Sequence, residues 1–244
     1  MCTILFAWQQ NSDYPLLLAA NRDEFYQRPT APAAWHGDVF SGIDLLAGGT
    51  WLGLHKNGRF AAVTNYREIP LQHQDKSRGA LPMAFLNSTQ TPEQYCTALM
   101  ATQHDYGPFN LLACDGHSLW YMSNRGAAPK ALAPGIYGMS NGLLNDPWPK
   151  VVRGRAAFAK HLQASDDELF ALLHDTYQPN DSELPDTGVG IELERRVAPL
   201  FIRSEEYGTR CSSIVRLHTN GAWQMVEQSW GPDGEPSGPR RSSI

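Results

Sequence analysis

Cys2-Thr3-Ile4-Leu5-Phe6-Ala7-Trp8 and Pro15-Leu16-Leu17-Leu18-Ala19-Ala20-Asn21 flank the turn-rich cluster Asn11-Ser12-Asp13. Two apolar runs on either side of such a cluster read as an antiparallel hairpin, which makes Cys2 the opening residue of a sheet. Loss of Met1, which the small side chain at position 2 permits, leaves Cys2 with a free α-amine beside its thiol. An α-amine titrates near about pH 8 and a thiol near about 8.5, so at neutral pH the amine can accept the thiol proton. By itself Cys2 equally fits a small apolar residue at the start of a strand.

Directly after the second run stand Asn21-Arg22-Asp23-Glu24. In an extended chain Asn21 and Asp23 face one side and Arg22 and Glu24 the other. With the two strands paired, Asp23 is expected to hold the Cys2 amine through a charge-assisted bond. Arg22 and Glu24 are expected to form a structural ion pair or a solvated edge. Three further polar positions close apolar segments: Thr64-Asn65, Ser140-Asn141 and Arg210 before Cys211-Ser212-Ser213. Asparagine amides suit a developing oxyanion because they donate without competing for the thiol proton. Arg210 suits a role in lowering the thiol pKa or holding a substrate carboxylate.

The remaining chain reads as hairpins, then central helices, then a closing hairpin. Asn57-Gly58 turns one hairpin, Asp115-Gly116 a second and Thr219-Asn220-Gly221 the last. Helices are expected near 81–86 and 92–102, the latter with a capping box at Thr91 and Gln94, and over 148–162 and 166–174. This order fits an α+β domain over 1–230, two antiparallel sheets packed together with helices outside, although composition does not separate it from other α+β layouts. The Gly/Pro/Ser-rich segment 231–244 is expected to be a flexible tail.

Composition narrows the partners. The 244 residues carry a net charge of −5 with no run of Lys or Arg, which argues against nucleic acid or an anionic membrane surface. No apolar run approaches the roughly 20 residues that span a bilayer, and no signal peptide is read, so a cytoplasmic location is expected. Cys2, Cys96, Cys114 and Cys211 lack metal-ligand spacing and are expected to be free thiols, with no metal site.

Met1-Cys2-Thr3, Leu18-Ala19-Ala20-Asn21-Arg22-Asp23-Glu24-Phe25, Gly48-Gly49-Thr50-Trp51-Leu52-Gly53, Val63-Thr64-Asn65-Tyr66-Arg67, Tyr137-Gly138-Met139-Ser140-Asn141 and Tyr207-Gly208-Thr209-Arg210-Cys211-Ser212-Ser213 resemble the NRDE family, which includes the transport and Golgi organisation protein 2 group. That family more distantly resembles N-terminal-nucleophile (Ntn) hydrolases of the choloylglycine hydrolase and penicillin V acylase type. The resemblance implies an αββα sandwich. It implies Cys2 as nucleophile, Asp23 as the residue orienting its amine, Asn65 and Asn141 at oxyanion or substrate positions, and Arg210 as the cation near the thiol. Asn21, Arg22 and Trp51 join these as expected ligand-binding residues. One departure stands out: the acylases carry an arginine earlier in the aspartate motif, where this chain has Ala19-Ala20 and then Arg22.

The implied activity is hydrolysis of a small acyl amide with no required cofactor. The same resemblance implies an alternative, a carrier for haem or another hydrophobic ligand, with tryptophans such as Trp51 lining a pocket. Any of His36, His55, His73, His104, His117, His161, His174 and His218, or Cys2 itself, would then be an axial ligand. Oligomeric state is not legible.

Overall fold

A computed structural model of the chain describes residues 2–69, 74 and 76–244; Met1 and His73 lie outside the described residues. In chain order the elements are β1 (Cys2–Trp8), β2 (Leu16–Phe25), β3 (Thr30–His36), β4 (Val39–Asp44), β5 (Leu52–His55), β6 (Arg59–Asn65), α1 (Ala80–Leu86), α2 (Pro92–Leu99), β7 (Phe109–Cys114), β8 (Leu119–Ser123), β9 (Lys130–Ala131), β10 (Gly135–Met139), α3 (Pro149–Phe158), α4 (Asp166–Leu173), α5 (Ile191–Val197), β11 (Tyr207–Leu217), β12 (Trp223–Ser229) and β13 (Arg241–Ser242). Two antiparallel sheets result, ordered β10-β1-β2-β11-β12-β13 and β3-β4-β5-β6-β7-β8-β9.

Both faces of the central strands are apolar, and each face has its own partner. Ile4, Phe6 and Trp8 of β1 and Leu16, Leu18 and Ala20 of β2 meet Phe40, Leu52, Phe60 and Leu112 of the other sheet in the core between the sheets. The alternate residues Leu5, Ala7, Leu17 and Ala19 pack outward on Phe158 of α3 and Leu169, Phe170 and Leu173 of α4. On the far side, Ala61, Val63 and Leu111 carry α1 and α2 through Leu81, Phe85 and Leu99. Strands buried on both faces read as continuous apolar runs rather than alternating ones, which is what β1 and β2 show. The architecture is the expected αββα sandwich.

Local signals largely landed. Gly58 takes φ +87 in the β5–β6 turn, a region open to glycine. Thr91 and Gln94 close their capping box on α2, and Ser165 with Glu168 does the same on α4. The proline-rich stretch after Pro29 proved to hold β3, which tolerates Pro32 as the outermost strand of its sheet. Segment 231–244, expected to be a flexible tail, instead carries β13. It pairs with β12 at Val226↔Ser242 and Glu227↔Arg241, and Arg240 reaches Asp167, so the tail satisfies backbone groups that β12 would otherwise expose.

Asn21 lies on the helix-facing side of β2 and is 0% exposed. Its amide nitrogen donates to the carbonyls of Leu173 (2.8 Å) and Leu200 (3.0 Å), and its oxygen accepts from Ser212 Oγ (2.6 Å). It therefore ties the C-terminal end of α4 and the segment after α5 to the sheet. The expectation that Asn21 binds ligand is corrected by this placement, because its polar atoms are spent on the outer layer. Replacing it with alanine strands buried carbonyls, so Asn21→Ala is expected to lower unfolding free energy by about 2–3 kcal/mol in denaturant titration while Cys2 labelling in the folded protein stays unchanged.

Candidate active site

Register decides which side chains meet at the end of the sandwich. In the β1–β2 hairpin Trp8 pairs with Leu16, and counting back along both strands brings Cys2 opposite Arg22. Directly opposed residues share a face. Cys2 and Arg22 therefore continue the inward rows of Ile4 and Ala20, whereas Asp23 continues the outward row of Asn21. On the other side of β2, β11 pairs Cys211 with Arg22 and Thr209 with Asp23, and Arg210 is the extra residue of a β-bulge between them. The bulge lets Thr209 join Asp23 on one face and Cys211 join Arg22 on the other.

These residues open onto a cavity of about 890 Å³ between the sheet ends, within the range of small-molecule sites. Cys2, Arg22, Asp23, Trp51, Asn65 and Arg210 all contribute to its wall. Burial pushes the Cys2 thiol above its ordinary range, and Arg22 is the side chain that most opposes the rise. Arg22 is 7% exposed; its Nη2 stands 3.7 Å from Glu24 and 3.8 Å from Asp44, and its Nη1 is buried without a hydrogen-bond partner. A buried guanidinium nitrogen left open at a cavity wall is a ready donor for an anionic or carbonyl oxygen. The expected structural pair with Glu24 exists, but it is secondary: Arg22 is the cation facing the thiol.

Arg210 does not take that place. As the bulge residue it turns aside, and its Nη1 donates to the carbonyls of Phe25 (2.9 Å), Tyr26 (3.2 Å) and Arg28 (3.1 Å), bracing the turn that leads out of β2. Asn65, the last residue of β6, stands on the cavity wall. Asn141 is fully buried, is not among the wall residues, and donates through Nδ2 to the Asn65 carbonyl (2.8 Å). The two asparagines are thus brought together as sequence suggested, with Asn141 setting the position of Asn65 rather than facing a ligand. Ser140 locks the same corner: its Oγ donates to the Cys2 carbonyl (3.0 Å), and its own carbonyl accepts from Thr64 Oγ1 (2.8 Å) of the opposite sheet.

Sequence reasoning missed several wall residues. Arg78, just before α1, comes within electrostatic range of Cys2 from the opposite sheet's loops. No local pattern marks it. Glu227 of β12 lines the wall buried, taking a bond from the Ala33 amide (2.7 Å) and from the Cys211 thiol, and its carboxyl is pushed up by burial. Its partner Ser213 sits two residues from Cys211, so strand pairing was the available signal.

Comparison with known proteins assigns the chain to a family. The model of the family described as Transport and Golgi organisation 2 matches residues 1–232. The chain belongs to that family. A Bos taurus protein named Transport and Golgi organization protein 2 homolog is 35% identical, covering 94% of this chain and 93% of its own length, and the Homo sapiens homolog is 35% identical with the same coverage. The Drosophila melanogaster Transport and Golgi organization protein 2 is 27% identical over 96% and 95%. Among solved structures, penicillin V acylase from Agrobacterium tumefaciens aligns with TM-score 0.42 and 13% identity over 93% of this chain and 83% of its own. A mutant conjugated bile acid hydrolase from Clostridium perfringens aligns at 0.46 and 8% over 99% and 92%. No helix of the described residues is long and apolar enough to cross a membrane.

The placement of the two arginines predicts separable effects. Removing the facing cation raises the thiol pKa, so Arg22→Met should move the pH profile of Cys2 alkylation to higher pH and slow labelling at neutral pH. Arg210→Met should leave the profile where it is, because that guanidinium is engaged with carbonyls. Stopped-flow alkylation across pH 6–10 reads both.

Proposed function

We propose that this protein is an amide hydrolase that uses the Cys2 thiol as nucleophile and the Cys2 α-amine, freed by loss of Met1, as its base. The observation that carries the reading is the pairing of Cys2 with a buried, half-satisfied Arg22 at the wall of a cavity, with Asp23 buried one register position further along β2. A thiol whose pKa is raised by burial does not ionise unaided at neutral pH. It needs an adjacent base, and the α-amine of the same residue is the nearest one covalent geometry can supply.

The steps follow from that arrangement. The amine takes the thiol proton as sulfur attacks the amide carbonyl, forming a C–S bond and a tetrahedral oxyanion. In this scheme Arg22 Nη1 and Asn65, both wall residues, donate to that oxygen. The ammonium passes its proton to the leaving nitrogen as the C–N bond breaks, leaving a thioester on Cys2. Water, deprotonated by the same amine, then attacks the thioester, releasing the acid and restoring the thiol. Asp23 orients the amine throughout, and the scheme calls on no metal or cofactor. The substrate class is a small acyl amide with polar or charged groups, since Arg28, Arg78, Glu24 and Asp44 share the wall with Trp51.

Carriage of haem or another hydrophobic ligand has less behind it. Among the described residues no histidine lines the cavity, and its wall carries paired charges such as Arg28 with Asp44 beside its apolar residues. Trp51 and Trp230 are the tryptophans of the wall, and Trp51 is half-buried against two of the hydrophobic cores.

Turnover of a panel of acyl amides, monitored with intact-protein mass, tests the proposal. The active protein should lack Met1 and accumulate an acyl adduct on Cys2, and Cys2→Ala should lose at least about 1,000-fold in rate. Turnover by protein that retains Met1, or turnover surviving Cys2→Ala, contradicts it.

A further inference from the structure

Several cations stand on the cavity wall, and most of them are already engaged. Arg28 is paired with Asp44 at 2.7 Å and Lys76 with Asp105 at 2.6 Å. Arg210 is spent on the carbonyls of the turn after β2, and Arg22 stands between Glu24 and Asp44 with Nη1 assigned above to the reacting oxygen. Arg78 differs. Its Nη1 donates to the Pro108 carbonyl (3.1 Å), but among the described residues it forms no ion pair, and its Nε and Nη2 have no hydrogen-bond partner.

Backbone holds this side chain in place from two sides. The Pro108 carbonyl that Arg78 meets also accepts from the amide of Tyr66 (3.0 Å), so the guanidinium adjoins the strand end that carries Asn65. It lies over Gly107, where an added Cβ would come 3.4 Å from Nη1. Beneath it, the Arg78 carbonyl accepts from the Leu81 amide (3.0 Å) in the first turn of α1, and the Gly79 carbonyl accepts from the Thr50 amide (3.1 Å). Gly49, at φ +80, passes so near that an added Cβ would sit 2.4 Å from the Gly79 oxygen. Asn65, Arg78, Gly79, Gly107 and Pro108 all line the cavity.

We propose that Arg78 is a binding residue that takes a carboxylate of the cavity's ligand on its open Nε–Nη2 edge. That the ligand is then cleaved at Cys2 rests on the hydrolase reading above; the binding claim does not. The Nε and Nη2 hydrogens of a guanidinium point the same way, and their two parallel bonds match the two oxygens of a carboxylate. Nη1 lies off that edge, so its bond to Pro108 fixes the plane of the group and leaves the edge open. A guanidinium keeps its proton in proteins, so Arg78 presents a charge that a ligand carboxylate would balance. Glu24 and Asp44 on the same wall disfavour a second negative charge, which makes a single carboxylate the fitting partner. With Asn65 adjoining, the substrate class narrows to an acyl amide with its acidic group close to the scissile carbonyl.

The test uses the full chain and maleimides that carry a carboxylate on alkyl tethers of increasing length, each matched with its uncharged carboxamide. Labelling of Cys2 is followed by peptide mass, and each acid-to-amide rate ratio is divided by that of free N-acetylcysteine, which cancels intrinsic reactivity and any change in thiol ionisation. At one tether length the wild-type ratio should exceed unity by about tenfold, as a charge-assisted pair would give. Arg78→Met, and Arg78→Gln with a donor kept for Pro108, should bring the ratio to unity, while Lys76→Gln in the same segment should leave it unchanged. Independently of Cys2 reactivity, the Arg78 Nε–H resonance, assigned by its loss in Arg78→Lys, should move on addition of the unreactive succinimide of the preferred acid and stay put with its carboxamide. No acid preference at any length, a preference that survives both Arg78 variants or falls equally in Lys76→Gln, or an unmoved resonance overturns the proposal. If the preference and the shift are found while no acyl amide is turned over, the hydrolase reading fails and the carboxylate site stands.

Discussion

The site depends on one strand register, the pairing of Cys2 with Arg22 across the first hairpin. A slip of one residue would send the inward row Ile4, Phe6 and Trp8 onto the helices and Leu5 and Ala7 into the core between the sheets. Both rows are apolar, so hydrophobic pattern alone does not forbid the slip. Size does: Phe6 and Trp8 fill the thick layer between sheets, whereas Leu5 lies under Gly154, where an added Cβ would sit 2.9 Å from Leu5 Cδ1. A bulkier residue at that height would push α3 off the sheet.

From that register follows a division of labour between the two faces of β2. Inward residues present chemistry to the cavity: Cys2, Arg22 and Cys211 stand in one row across three neighbouring strands. Outward residues anchor: Asn21 fastens the outer layer, and Asp23 accepts a hydrogen bond from Thr209 of β11. The bulge at Arg210 keeps this division intact along β11. Without the extra residue, the side chains beyond it would exchange faces, and Thr209 would leave Asp23.

Much of the fold was legible because it rests on local signals. Turn glycines, capping boxes and the unbroken apolar runs of β1 and β2 specify a layered sandwich from short-range chemistry. The site was legible in composition and only partly in geometry. Cys2, Asp23, Asn65 and Trp51 reach the cavity as read, but Asn21 and Asn141 are internal fasteners. The roles of Arg22 and Arg210 are exchanged relative to expectation. That exchange has a definite cause: alternation along β2 was read correctly, yet which face meets Cys2 depends on where the loop closes, and the bulge in β11 has no sequence mark of its own.

Two thiols line the cavity, separated by two strand spacings, roughly 10 Å between Cα atoms and beyond the ~7 Å a disulfide can bridge. Burial pushes both up and Arg22, paired with both, opposes the rise in each, but the Cys211 thiol is raised further by the charge of the Glu227 carboxylate and its bond to it. Peptide-mapped labelling with a substoichiometric acylating probe therefore tests most directly whether the register creates a working nucleophile. Modification confined to Cys2, with Cys211 untouched, is the predicted result. Label on Cys211, or divided evenly between the two, would contradict it.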